Sequence, residues 1–351
     1  MSKDMKLSVL MGVYDAERHL PAALASLFAQ SFEDFELIVV DDGSTDGTAD
    51  ILASCEDPRL MVLTNTENIG LTRSLNRALA RSRGALLARL DADDRALPDR
   101  FRLQVDWMET HPETVVLGSR YRTVSTEGGM LGTHAPPVSD GEIRWQMLFN
   151  NSFCHSAVMF RRSALECEPF AYDETLTSAQ DYELWTRLLR QGEGANLPAV
   201  LVERCLHDQT ITRMRHEEQQ QIADDISRRG IEALIGAERA RRIDVRRIRR
   251  ALDRPVVPPA DALTQQSFDD IATLFELSDI IIRRHCLPAP VAQRMRARLN
   301  RQITRALAPK ALLPAFFRGW VNPGQRLMLT ARRLFEPKRH PMQPQRSIHS
   351  G

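Results

Sequence analysis

No stretch of this 351-residue chain approaches the ~20 consecutive apolar residues needed to cross a bilayer, and the opening MSKDMKLSVLMGVYD lacks the apolar run of a signal peptide. Both absences point to a cytoplasmic protein. Cysteine is scarce. Cys55, Cys154, Cys167, Cys205 and Cys286 are odd in number and never fall at C-x-x-C spacing, which excludes a zinc ribbon or dithiol redox pair and reads as buried thiols. The first β-rich run is followed by MGVYDAERHL, with no G-x-G-x-x-G to admit a pyrophosphate, so a Rossmann dehydrogenase is excluded. A Gly-rich, Lys-bearing opening loop for a triphosphate is missing as well. No recognised nucleic-acid motif and no internal repeat is present.

What is present is ordinary for a folded protein: 43% apolar, 26% charged and 6% aromatic residues. The length suits one large domain with an appendage, or two domains. The formal net charge of +1 conceals a division. Residues 1–210 carry 20 Lys+Arg against 32 Asp+Glu, and residues 211–351 carry 27 against 14, so a balance of −12 is followed by +13. Two regions with different partners are implied.

The first hundred residues alternate short β-rich runs with helical patterns, the signature of a parallel sheet wrapped by helices. Strands are predicted over 7–13, 35–40, 59–65 and 85–90. Between them, Pro21 suits a first helical turn ahead of Leu24, Leu27 and Phe28 at helical spacing, Ser44 or Asp46 is placed to cap a second helix, and 72–82 reads as a third that stops near Gly84. Further on, the pattern predicts a helix over 98–111, a strand over 115–124, a Gly- and Pro-rich loop over 127–140, a strand over 157–160 and a helix over 179–191 with Leu184, Trp185, Leu188 and Leu189 inward. Beyond His207 only helices are expected.

Ligands of an open parallel sheet bind beyond the carboxyl ends of its strands. Two acidic clusters stand there: Asp41 and Asp42 in VVDDGSTDGT, and Asp91, Asp93 and Asp94 in ARLDADD. Gathering like charges at one rim costs free energy and raises carboxyl pKa values, so something cationic or hydrogen-bond donating belongs between them. Capping accounts for Ser44 and Asp46, but three acids directly after a buried strand exceed what a cap needs. In an extended chain Asp91 and Asp93 share a face, and paired hard oxygens suit Mg²⁺ or Mn²⁺ holding a diphosphate.

From Leu7 to about Thr212 the chain resembles the family 2 glycosyltransferases of the GT-A fold, especially bacterial members acting in surface-polysaccharide assembly. The resemblance is carried, in order, by VYDAERHL, VVDDGSTDGT, NIGLTRSLNRALARSRG, ARLDADD, HSAVMFRR and AQDYELW. It implies a Rossmann-like, mostly parallel sheet flanked by helices over 1–212, followed by a basic, mostly helical region over 213–351. It also implies a metal-dependent transfer of a sugar, with inversion, from a nucleotide sugar (UDP being the family's commonest case) to a hydroxyl of a glycan or lipid-linked acceptor. The alternative is a retired GT-A domain serving as a scaffold in polysaccharide assembly.

The same resemblance assigns residues. Asp42 is similar to the aspartate that hydrogen-bonds the base, with Asp41 beside it and Val13 and Asp15 in the pocket wall, although many relatives have Asn at the position of Asp15. Asn68, Gly70 and Arg73 resemble the segment that closes over the nucleotide; a turn-forming Asn68 and a solvated Arg73 are the plainer readings. Asp93 corresponds to the direct metal ligand and Asp91 to a ribose or outer contact, while Asp94 orients the sugar or caps a helix. Arg89 either neutralises a sugar or phosphate or forms a structural ion pair. Asp181 matches the catalytic base of the E-D motif, whose first acid is replaced here by Gln180; a helix cap is the alternative. His155 is placed against the acceptor. Arg204 and His207 resemble the pair that closes over the diphosphate, His207 as a metal or phosphate contact; a hydrogen-bonded structural histidine is the plainer reading.

From Arg301 onward ten basic residues face Glu336 alone, interleaved with Phe316, Phe317, Trp320, Leu334 and Phe335. That pattern fits an interfacial segment on an anionic membrane, each cation near the lipid contributing about 1 kcal/mol, and would hold the protein on the cytoplasmic face of the inner membrane. A helical appendage packed on the catalytic domain is the other reading. Nucleic acid is not expected as a partner.

Overall fold

The computed structural model describes residues 5–168, 171–207, 216–253 and 265–307. Its strands are β1 (Leu7–Val13), β2 (Phe35–Asp41), β3 (Leu60–Thr64), β4 (Leu86–Arg89), β5 (Arg95–Ala96), β6 (Thr114–Ser125), β7 (Met130–His134), β8 (Met159–Arg161) and β9 (Glu193–Leu206). The first six helices are α1 (Leu20–Phe28), α2 (Thr48–Ala53), α3 (Leu71–Arg81), α4 (Arg100–Thr110), α5 (Asp140–Met147) and α6 (Gln180–Leu188). After the sheet come α7 (His216–Ile235), α8 (Ala237–Ala240), α9 (Val245–Asp253), α10 (Gln265–Arg284) and α11 (Ala289–Leu307).

The strands form one sheet in the order β3-β2-β1-β4-β8-β6-β9-β5, with β7 paired to β6. β3, β2, β1 and β4 run parallel, as alternating helical and strand patterns require. β2 is buried along its whole length, which explains its unbroken apolar sequence. Side-chain alternation then divides the core in two. Val9, Met11, Leu37 and Val39 belong to the cluster with Leu20, Leu24 and Leu27 of α1 and Phe101, Val105 and Met108 of α4. Leu10, Ile38 and Val40 belong to the other, with Leu75 and Ala78 of α3 and Leu184, Trp185 and Leu188 of α6.

Beyond β4 the sheet is mixed. β8 is antiparallel to both β4 and β6, and β9 returns parallel to β6. The 14-residue β9 has no counterpart in the sequence reading: Pro198 and several charged residues interrupt its apolar pattern, and its ladder to β6 carries register shifts near Ser119 and Arg120. The expected loop over 127–140 instead contains β7, joined to β6 by a turn in which Gly128 takes φ +83°. Because Met130 and Leu131 are exposed, β7 lacks the burial pattern that betrays a strand. The expected strand over 157–160 begins later, since residues 155–157 form a 3₁₀ turn. Gly47, not a side chain, stands at the start of α2; Asp46 nonetheless accepts from Thr48 N–H at 3.0 Å. Of the cysteines only Cys205 is buried; Cys55 and Cys154 are half-buried and Cys167 and Cys286 are exposed, a correction to the reading of five buried thiols.

By contacts the chain divides into two compact units, one of residues 1–249 and 278–296 and one of residues 250–277 and 297–351. The boundary expected at 212 lies outside the described residues, as do Asp208 to Arg215 and the basic tail from Ala308 onward. No described helix is long and apolar enough to cross a membrane.

Candidate active site

The register of the parallel strands sets Val13 opposite Asp41 and Leu10 opposite Arg89, so β1, β2 and β4 run out at one rim. Asp42 and the 91–94 acids therefore emerge on the same edge of the sheet, where the strand-end argument placed them.

On the β2 side the carboxylates are used by the chain itself. Asp42 Oδ1 accepts from Asn65 Nδ2 (2.6 Å) and Ile69 N (2.9 Å), and Oδ2 accepts from Gly70 N (2.8 Å). Asn65 also donates to Ser74 of α3 at 2.9 Å, so Asp42 ties together β3, the 65–70 turn and the helix start. Gly70 has φ +94° and ψ 153°, a conformation reserved for glycine. Asp41 accepts from Ser44 N at 3.0 Å. Asp15, with φ +45°, exchanges contacts with the same loop: its N–H donates to Ser44 Oγ (3.1 Å) and its Oδ1 accepts from Thr45 N (2.8 Å). Val13 is buried, and its carbonyl accepts from Asp42 N at 2.8 Å. Asn68 is exposed, and Arg73 pairs with Glu174 at 3.6 Å with both side chains about half exposed.

At the end of β4 the balance is different. Carboxylate oxygens of Asp91, Asp93 and Asp94 lie within 4.8 Å of one another. Arg89 is 0% exposed, and its Nη2 lies 2.5 Å from Asp91 Oδ1. None of its Nε, Nη1 or Nη2 finds a well-aligned hydrogen-bond acceptor among the described residues. Asp91 Oδ2 accepts from Ser156 Oγ at 2.8 Å. Burial works against the Asp91 charge, yet Arg89, then His155, Ser156 and Arg204, outweigh it and hold this carboxyl at about 2. Asp93 moves upward, by burial and by the charge of Asp91, against its hydrogen bond to His207 Nε2 at 2.8 Å. Asp94 is pushed well up by burial and by both neighbours, although its Oδ1 accepts from Cys205 N at 2.9 Å.

Asp181 stands in the first turn of α6, after Ala179 at φ +54°. Its Oδ1 accepts from Tyr182 N (2.8 Å) and its Oδ2 from Asn151 Nδ2 (2.8 Å). Burial raises it to about 6, with Asp91 adding to the rise and Tyr182 N–H and Arg89 opposing it. His155 bonds Tyr172 Oη at 3.0 Å, and burial followed by Arg89 drives it down to about 3, so the imidazole is neutral. Arg204 is raised: its burial is overcome by Cys154, Asp94, Tyr121 and Asp91.

The structure thus gathers Arg89, Asp91, Asp93, Asp94, His155, Asp181, Arg204 and His207 into one electrostatically linked group, and leaves Asn68 and Arg73 toward solvent. Sequence reasoning passed over Asn65, Ser156, Asn151, Arg100 and His19. Asn65 had a signal, a polar residue at the same strand-end level as Asp42. His19 stacks on His207 with ring centroids 5.1 Å apart. Arg100 is fully buried and donates to the Arg89 and Val158 carbonyls (2.8 and 3.1 Å), closing the gap where β4 parts from β8. Nothing in its helical surroundings marks it beforehand.

A mixed sheet of this order with acids converging past β4 defines a GT-A glycosyltransferase architecture. The crystal structure of S. aureus TarS 1-349 superposes with a TM-score of 0.56 over 91% of this chain and 95% of that one at 18% identity, as does the same protein in complex with UDP-GlcNAc. The model of glycosyl transferase family 2 matches residues 8–168. An uncharacterized glycosyltransferase of Haemophilus influenzae is 30% identical over 235 residues, covering 64% of this chain and 73% of that protein. The amylovoran biosynthesis glycosyltransferase AmsE of Erwinia amylovora is 32% identical over 201 residues, 56% of this chain and 74% of that protein. The chain belongs to glycosyltransferase family 2 and is a transferase.

Proposed function

We propose that this glycosyltransferase moves a sugar from a nucleoside diphosphate sugar, a UDP-sugar first among them, to a hydroxyl of a glycan or lipid-linked acceptor in cell-surface polysaccharide synthesis. The observation that carries the reading is the convergence of the 91–94 carboxylates with a raised Asp181 at one sheet rim. Support for the setting comes from AmsE, named for amylovoran biosynthesis, and support for the donor from TarS captured with UDP-GlcNAc.

Val13, Asp15, Asp41 and Asp42 form the base and ribose wall in this reading, and Asn68, Gly70 and Arg73 the segment above the nucleotide. Arg89 and Asp91 brace the sugar end, with Asp94 behind them. His155 faces the acceptor, and Arg204 the diphosphate. Asp181 accepts the acceptor hydroxyl proton as that oxygen attacks the anomeric carbon; the bond from this carbon to the diphosphate oxygen breaks from the opposite side, and the nucleoside diphosphate departs. General-base help of this kind is worth ~10² to 10⁴-fold. The direct displacement inverts the anomeric centre.

The donor set fits Mn²⁺ or Mg²⁺: crowded hard oxygens and an imidazole, with Arg89 already spent on Asp91. Asp93 and His207 would hold the ion, with Asp91 adjacent, and a bound ion supplies positive charge where the leaving diphosphate gathers negative charge. Residues 1–212 carry this machinery. The basic region over 213–351 is assigned to an anionic membrane surface, which would keep the protein on the cytoplasmic face beside a lipid-linked acceptor.

Melting temperature with UDP, GDP or dTDP in the presence of Mn²⁺ tests the donor side. A rise with one nucleotide that vanishes on chelation is expected, and one hundred dissociation constants of ligand corresponds to about 2.7 kcal/mol. No rise with any of the three overturns the reading and favours a scaffold. Retention of the anomeric configuration in the product would overturn the displacement.

A further inference from the structure

The geometry points to Asn151 as the positioning residue of the base: it fixes the Asp181 carboxylate in place and does so from a loop clamped by four separate elements. The inference rests on the reading of Asp181 as the base.

Asn151 Nδ2 donates to Asp181 Oδ2 at 2.8 Å, while Asn151 Oδ1 accepts from Phe153 N at 3.0 Å. The second bond settles the orientation of the carboxamide. Reversed, the amide would point its NH₂ at a backbone N–H and its oxygen at a carboxylate, losing both interactions. With Oδ1 of Asp181 held by Tyr182 N–H, both carboxylate oxygens have a protein donor, and rotation about the side chain would sacrifice both. A helix-capping acid needs no such second grip.

The loop that presents Asn151 is itself held from several sides. Tyr182 Oη of α6 donates to the carbonyl of Met147, the α5 residue from which the loop departs, at 2.7 Å, and Ser152 Oγ donates to Ile143 O of α5 at 3.3 Å. Asn196 Nδ2 of β9 donates to Ser152 O at 3.2 Å. Arg249 Nε of α9 donates to Phe149 O at 2.6 Å, and the guanidinium is anchored by Asp224 of α7. Such clamping is what preorganisation of a reacting group requires, since a misplacement of about 1 Å can cost roughly a hundredfold in rate.

An amide N–H aimed at a carboxylate stabilises its charged form. The other groups facing Asp181 are Asp91, which opposes that charge, Arg89, which favours it, and the Tyr172 phenol, whose ionisation Asp181 opposes. Removing the Asn151 donor therefore moves Asp181 upward, and the acid limb of the rate profile moves with it.

The experiment follows UDP release from whichever of UDP-glucose, UDP-galactose and UDP-N-acetylglucosamine the full-length protein hydrolyses fastest. Asn151→Ala is expected to lower kcat about tenfold to a hundredfold, leave KM for the donor within about twofold, and shift the acid limb to higher pH. The UDP- and Mn²⁺-induced rise in melting temperature should be retained. A wild-type limb with kcat within about twofold overturns the proposal, as does loss of the UDP response in step with activity, which would mark a merely structural residue. Should Asn151→Ala fail to fold, Asn151→Asp keeps the shape and sets a second acid against Asp181. Its limb must move further up, and an unmoved limb overturns the proposal equally. Asp181→Asn is measured alongside. If it retains the wild-type rate, the base reading fails on its own evidence, separately from any outcome at Asn151.

Discussion

The two acidic stations of the sheet rim have the same origin, aspartates directly after a parallel strand, yet they meet different surroundings. At the end of β2, Asp42 accepts three hydrogen bonds from Asn65, Ile69 and Gly70, and Asp41 and Asp15 are drawn into the adjoining loop. At the end of β4, three carboxylates crowd together, two are pushed toward neutrality, and the buried Arg89 answers only one of them. A satisfied acid shapes the chain around it, whereas crowded acids keep a field that a ligand can discharge. In the proposed reading, the contrast separates residues that build the pocket from residues that act in it.

Asp181→Asn probes the acting side and should have the largest effect. Transfer is expected to fall by ~10² to 10⁴-fold with the UDP response intact. The wild-type kcat/KM should rise with pH through about 6, because the base works only when deprotonated. The sign for stability is opposite: a carboxyl raised by folding costs stability progressively as pH rises from its unfolded value through about 6, so in urea the Asn variant should gain on wild type across that window, from a baseline lowered by about 1 to 3 kcal/mol because its NH₂ faces a donor.

Next is Arg89→Met, which deprives Asp91 of its cation and should cost about 3 kcal/mol of unfolding free energy at neutral pH. Asp91 is held at about 2, below its unfolded value, so its contribution is present above the ordinary carboxyl range and fades as pH falls toward 2. In the variant the acid-side loss of stability should therefore be shallower.

Asp42→Asn probes the building side and should have the smallest effect. It sets an NH₂ against an N–H donor of the 65–70 turn, at an expected cost of about 1 to 3 kcal/mol in chemical denaturation. If this variant abolished transfer at unchanged stability, the division between shaping and acting acids would be lost.

The same division governs what could be read beforehand. Strands β1 to β4 and helices α1 and α3 were legible because their apolar period and their burial coincide, as in the wholly buried β2. The acids were legible because they interrupt such strands at their ends. β7 and β9 were not, since β7 exposes Met130 and Leu131 and β9 is stabilised by a long ladder to a strand about eighty residues earlier, which no local window contains. Asn151, Ser156 and Arg100 stayed hidden for a related reason: each acts through a partner at least eleven residues away in sequence, and an isolated polar residue says nothing of what it will meet.

Ala179 carries a separate lesson. Alanine gains nothing from a left-handed backbone, which costs of order 1 kcal/mol, yet it adopts φ +54° and ψ 19° one step before α6. The angle at which that helix leaves the loop is thus not a choice of its own sequence but is held by the surrounding fold. The Asp181 carboxylate inherits its aim from the assembled protein, so its direction is a tertiary property written in neighbours remote along the chain.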